Sequence, residues 1–167
     1  MSGDLPRAAA AVVTAGRSLG LKLDVREFPE GTRTAADAAR AIGCHVDQIV
    51  KSLVFMADTE PVLVLTSGGN RVDVVKVGRQ RSAATVRKAD AEEVRAATGY
   101  AIGGTPPFGH ARDLPVLVDQ HLTGFEEVWA AAGTPRHVFP IAPGDLLRAT
   151  GGQLADVTLG EDGPPAG

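Results

Sequence analysis

The chain has 167 residues, 44% of them hydrophobic and 22% charged, with a formal net charge of −3; this is the composition of one soluble globular domain and excludes a uniformly basic nucleic-acid binder, though not a local basic patch. A single cysteine, Cys44, excludes an internal disulfide and fits a reducing compartment. No apolar run reaches the roughly 18 residues of a membrane span, and the first residues lack a basic segment followed by an apolar core, so the cytoplasm is the expected compartment.

In chain order, alanine-rich Pro6 to Leu19 predicts a first helix, alanine being the best helix former. Leu21 to Phe28 partly alternates and predicts a strand ending at Pro29. Thr34-Ala35-Ala36-Asp37 resembles a capping box with Asp in place of Glu or Gln, opening a short helix that stops at Gly43. Gln48 to Met56 predicts a strand carrying Lys51, and Pro61 to Thr66 its hairpin partner across the turn-like Ala57-Asp58-Thr59-Glu60. Asn70 to Gly78 is ambiguous: its valines suit a strand, yet Val72, Val75 and the stem of Lys76 fit one helical face. Ala84 to Arg87 predicts a short strand. Asp90-Ala91-Glu92-Glu93 caps a helix that ends at Gly99, with acids at the positive end of its dipole. A loop stiffened by prolines and bent by glycines follows, Tyr100 to Gly109. Pro115 to Asp119 is a strand. Phe125 to Ala131 and Arg136 to Ile141 form a hairpin around Ala132-Gly133-Thr134-Pro135. Pro143 to Ala149 is a closing helix and Ala155 to Leu159 a last strand. Residues 1–159 therefore read as one domain, and the glycine- and proline-rich tail, 160–167, as disordered. Helices and strands mix without strict alternation, which predicts an α+β domain with a largely non-parallel sheet.

Lys51 is the first candidate for chemistry. The chain has four lysines against thirteen arginines, so a lysine inside an apolar strand is not a generic surface charge. Strand alternation places it with Ile49, Leu53 and Phe55. Its ammonium forms a structural ion pair, lines a pocket and holds a carbonyl, carboxylate or phosphate oxygen, or acts as an imine-forming amine. The Gly103 to Gly109 loop either aims main-chain groups at a small polar ligand or is a rigid connector; it carries no dinucleotide or phosphate-loop fingerprint. Lys76, Arg79, Arg81, Arg87 and Lys88 follow one another with no acid between, which suits a phosphate backbone or a solvated face. His110, His121 and His137 lack metal-ligand spacing, so no metal or cofactor is expected. Cys44-His45 has no identifiable third partner, and no Gly-x-Ser-x-Gly elbow is present.

Three stretches carry a resemblance: Ile49-Val50-Lys51-Ser52-Leu53-Val54-Phe55, Thr98-Gly99-Tyr100 through Gly103-Gly104-Thr105-Pro106-Pro107-Phe108-Gly109, and Val116-Leu117-Val118-Asp119. In order and spacing they resemble the YbaK/ProX-type editing domains, also called prolyl-tRNA-synthetase-associated domains, over about Val25 to Val157. The resemblance implies a curved, partly barrel-like mixed β-sheet packed by helices around a pocket. It implies a freestanding deacylase that hydrolyses the ester of a mischarged tRNA carrying a small amino acid, of the Cys-tRNA(Pro) or Ala-tRNA(Pro) type. Lys51, Gly103 and Pro107 would carry catalysis by positioning, Gly103 and Pro107 being the fixed points of a Gly-x-x-x-Pro loop. Ser52, Gly104, Thr105, Phe108, Asp119 and His137 would bind the substrate. The implied partners are a mischarged tRNA and, optionally, prolyl-tRNA synthetase, without DNA or membrane. The alternatives are a non-catalytic tRNA- or synthetase-binding module of the same fold and, more distantly, an imine-forming lyase.

Overall fold

The computed structural model describes residues 5–29 and 34–159; the predicted tail from Gly160 lies outside them. Helix α1, Arg7–Ser18, forms as predicted and buries Ala9, Val12 and Gly16. The predicted strand after it shrinks to β1, Arg26–Glu27. Leu21, Leu23 and Val25 pack against the core, so their alternation reports burial, but only Arg26 and Glu27 find a partner strand. Helix α2, Ala35–Ile42, starts where the capping signal placed it: the Asp37 N–H donates to the Thr34 hydroxyl at 3.0 Å, and Gly43 ends the helix in the left-handed region.

The lysine strand is β2, Val50–Ala57, and it turns through Asp58 and Thr59 into β3, Glu60–Ser67, as an antiparallel hairpin. The ambiguous segment resolves as helix α3, Val74–Arg81, because the Asp73 carboxylate accepts from the Val75 and Lys76 N–H groups and caps it. Its buried valine is Val77, while Val75 is 59% exposed. Strand β4, Val86–Lys88, helix α4, Ala91–Thr98, and strand β5, Val116–Asp119, follow. Strands β6, Val128–Ala131, and β7, His137–Ile141, form the second predicted hairpin. Helix α5, Pro143–Thr150, leads to β8, Gln153–Ala155, two residues earlier than expected; beyond it strand pairing is reduced to an isolated bridge between Thr158 and Val72.

The strands form two sheets, ordered β1-β7-β6 and β4-β2-β3-β5-β8. The larger is mixed: β2 pairs antiparallel with β3 and β4, whereas β3 with β5 and β5 with β8 are parallel. The prediction of a largely non-parallel sheet therefore misses two pairings. Parallel neighbours need a long crossover, and between β3 and β5 that crossover carries α3, β4 and α4. The expected mixed α+β fold is present, with curvature expressed as two open sheets rather than a barrel: no sheet closes among the described residues, and the two join at a parallel bridge between Ile49 and Trp129. The main core lies on the face of β2, β3 and β5 that carries Val54, Leu65 and Val118 and meets Phe108 and Phe139; the other face, with Phe55, Val64 and Leu117, packs on Val77 of α3.

Candidate active site

Strand β4 pairs only with Phe55, Met56 and Ala57 of β2. The amino-terminal half of β2 is therefore an open edge, bounded by the Ile49–Trp129 bridge at one end and by the Ala89 N–H donating to the Val54 carbonyl at 3.0 Å at the other. In a hairpin closed through a two-residue turn, alternate residues point their main-chain groups away from the partner. By that alternation the N–H and C=O of Ser52 face the open edge. There the two sheets part around a cavity of about 540 Å³, walled by Lys51, Ser52, Leu53, Lys88, Gly103, Thr105, Trp129, Ala131 and Val138 together with Ala35 and Ala38 of α2.

Lys51 is one of the residues of this wall. Its Nζ donates to the Asn70 carbonyl at 2.6 Å. Burial pushes its pKa below the ordinary lysine value, and repulsion from Arg71 and Lys88 adds to this, while the Asp119 carboxylate acts the other way. An ammonium has three protons to donate; with one on Asn70, two remain for an oxygen in the cavity. Ser52 adds an unused polar group, since its hydroxyl is buried with no partner among the described residues.

The glycine loop reaches the cavity through Gly103 and Thr105. Gly103 has φ +91°, in the left-handed region. Gly104 is there because of crowding: a Cβ would sit 2.7 Å from the Gly133 oxygen and 2.8 Å from the Thr134 Cα, both main chain and unable to yield. The loop is fixed from behind by the Thr105 hydroxyl donating to the Ala101 carbonyl at 3.1 Å, by Phe108 packing on Phe139 at 5.8 Å, and by His110. A carbonyl only accepts, so His110 Nε2, 2.7 Å from the Pro106 oxygen, carries the proton, and burial lowers its pKa.

The predicted site residues thus divide. Lys51, Ser52, Gly103, Thr105 and Lys88 share the cavity wall. Gly104, Pro107 and Phe108 are buried behind it. Asp119 lies under the turn that follows β3, accepting from the Ser67 N–H at 3.0 Å and the Asn70 amide at 2.8 Å. His137 sits on the face of β7 opposite Val138, with Nδ1 2.6 Å from the Thr134 hydroxyl. The basic run is also divided. Lys76 clips α3 to the carboxy-terminal segment through Asp156 at 2.9 Å and the Thr158 carbonyl at 2.7 Å. Arg79 and Arg81 are exposed. Sequence reasoning missed Asn70, which acts through a main-chain oxygen that no residue type announces, and the apolar wall of Ala38, Trp129 and Val138, assembled from three distant segments.

Arg87 grips Glu93 with both terminal guanidinium nitrogens, each at 2.7 Å. That bond and the Asp90 N–H hold the Glu93 carboxyl at about 2. A depressed acid stabilises the fold above its unfolded value, 4.5, and the contribution fades as the pH falls toward 2. Replacing Arg87 by Gln is expected to return Glu93 toward 4.5 in a carboxyl-carbon NMR titration; an unmoved curve would contradict the bond.

Comparison with known proteins places these features in context. The sequence pattern of the aminoacyl-tRNA editing domain matches residues 29–149. The chain is 33% identical over 123 residues to the uncharacterized protein YwhH of Bacillus subtilis, covering 74% of this chain and 78% of that one. It is 26% identical over 135 residues to EbsC of Enterococcus faecalis, a protein described as a candidate Cys-tRNA(Pro)/Cys-tRNA(Cys) deacylase, covering 80% and 82%. It also matches the proline–tRNA ligase of Shouchella clausii at 32% identity over 145 residues, 86% of this chain but 25% of the ligase. A crystal structure described as a candidate trans-editing enzyme for prolyl-tRNA synthetase superposes with a TM-score of 0.89 at 47% identity, over 94% of this chain and all of that one.

Proposed function

The chain belongs to the aminoacyl-tRNA editing domain family, and on that premise we propose that it is a trans-acting deacylase that hydrolyses the ester between a tRNA and a wrongly attached small amino acid, of the Cys-tRNA(Pro) or Ala-tRNA(Pro) type. The observation that carries the reading is Lys51, which shares a cavity wall with Gly103 and whose amine is fixed at 2.6 Å from the Asn70 oxygen.

The chemistry follows from the substrate. An aminoacyl ester is already activated, so holding it against an attacking water or the neighbouring ribose hydroxyl, and stabilising the oxyanion that forms, supplies most of the acceleration. Lys51 supplies the positive charge, toward the ester carbonyl or the terminal phosphate. The Gly103 main chain and the Ser52 hydroxyl supply uncharged polar groups to the aminoacyl moiety. A cysteine nucleophile has no part in this: burial raises the Cys44 thiol, which leaves it protonated, and Cys44 is outside the cavity wall. The apolar wall of Ala38, Trp129, Ala131 and Val138 suits a small apolar side chain; such pockets discriminate a methylene by only about 10- to 200-fold.

Purified protein assayed against a panel of mischarged tRNAs tests the proposal. Release of a small amino acid from at least one member is expected, and no release from any member would favour a binding module. The proposal assigns contact with the tRNA backbone to Arg79 and Arg81, exposed at the end of α3, together with the exposed Lys88. Neutralising both is expected to reduce the slope of log affinity against log salt by roughly 0.7–0.9 for each phosphate that is no longer neutralised. An unchanged slope in a binding titration would mean that the tRNA approaches from another side.

A further inference from the structure

We propose that Asp119 and Asn70 are positioning residues for the Lys51 amine: the carboxylate fixes the turn after β3, and that turn holds the amine through the Asn70 carbonyl. The proposal rests on the deacylase reading for its consequence in catalysis, but the coupling it describes can be read without substrate.

Asp119 ends β5 and is 2% exposed. Its Oδ1 accepts from the His121 N–H at 2.9 Å, which caps the short 3-10 turn that follows. A cap needs no more than this. Yet Oδ2 reaches across to the neighbouring parallel strand, accepting from the Ser67 N–H at 3.0 Å and from the Asn70 side-chain amide at 2.8 Å. A buried carboxylate is tolerated where donors converge on it, and removing one donor strands the charge. The Ser67 and Asn70 donors therefore lock the Ser67–Asn70 turn, which the Asn70 N–H closes on the Ser67 carbonyl at 2.9 Å. From the other side the Ser67 hydroxyl donates to the Asp47 carbonyl at 2.6 Å. The outcome is a main-chain oxygen aimed at one point, where Lys51 Nζ meets it at 2.6 Å. Asp119 itself is not part of the cavity wall, so it acts on a substrate indirectly, through this turn and through its charge on Lys51.

The charged groups that bear on Lys51 are Arg71 and Lys88, which repel it, and Asp119, which attracts it. On the far side of Asp119, His121 faces Asp47 at 3.5 Å. Asp119 thus fixes the amine's place and also favours its charged state.

The test uses the full chain and nitrogen-detected NMR of its four lysine side chains, with Lys51→Arg to assign the Lys51 signal. Asp119→Asn is expected to move the Lys51 titration to lower pH, because an attracting charge is lost. Asn70→Ala keeps the main-chain carbonyl and the other two bonds of Asp119, and is expected to increase the mobility of the Lys51 side chain. Both variants are expected to lower kcat by about 10- to 100-fold, the size of effect that slight misplacement produces, with little change in KM. In a Lys51→Ala background neither is expected to lower the residual rate further, since residues acting through one group are not additive. A Lys51 signal unmoved by either variant, or losses that multiply in the Lys51→Ala background, would overturn the proposal. If Asp119→Asn fails to fold, Asn70→Ala decides alone; if no tRNA is deacylated, the lysine NMR still decides the coupling.

Discussion

Lys51→Ala is expected to lower deacylation of a mischarged tRNA by about 100- to 1,000-fold, the range seen when one preorganised donor to a developing oxyanion is removed, while the protein stays folded. The physics separates the two outcomes. In the folded state the ammonium is penalised by burial and by Arg71 and Lys88, so deleting it relieves those penalties and forfeits one hydrogen bond to the Asn70 oxygen. These changes oppose each other, and the melting temperature is expected to shift by no more than a few degrees. Catalysis has no such compensation, because among the described residues the other cation of the wall is Lys88, which is exposed. Lys51→Arg is expected to rescue only part of the loss, since a planar fork does not reproduce a point charge held on a carbonyl. Full activity in Lys51→Ala would remove Lys51 from the mechanism.

The second large effect is steric. Ala131 shares a face of β6 with Trp129, both line the cavity, and Ala131 is the less buried of the two. Ala131→Phe is expected to fill space that is already empty, so the fold tolerates it, and to reduce kcat/KM by more than about 10-fold. The pattern across substrates locates the aminoacyl side chain. If that chain sits against Trp129 and Val138, the loss grows from alanyl to bulkier esters. An equal loss on all esters would place the terminal adenosine there instead, and no loss would mean that this wall does not meet the substrate.

What the sequence made legible was what residue type alone can announce. Lys51 stood out because a charge in an apolar strand demands a partner. The Gly103–Gly109 loop stood out because its glycines and prolines restrict the backbone, and the caps at Thr34 and Asp90 are local. What stayed hidden depends on distant segments. The partner of Lys51 is a main-chain oxygen, 19 residues away. Lys76 and Arg87 read as available for RNA, yet they are tied to Asp156 and Glu93, pairs that only the folded chain creates. Leu21 to Val25 looked like a strand because alternation reports burial, not the presence of a neighbour. The parallel pairing of β5 with β3 and β8 leaves no periodic mark that an antiparallel strand would not also leave.

The most direct test is a crystal structure with a non-hydrolysable amide analogue of 3′-aminoacyl-adenosine. The account predicts its carbonyl or adjoining phosphate-side oxygen within hydrogen-bond distance of Lys51 Nζ, with the aminoacyl group against the Gly103 main chain. An analogue bound elsewhere on the surface, or in the cavity with its amide out of reach of both, would contradict it.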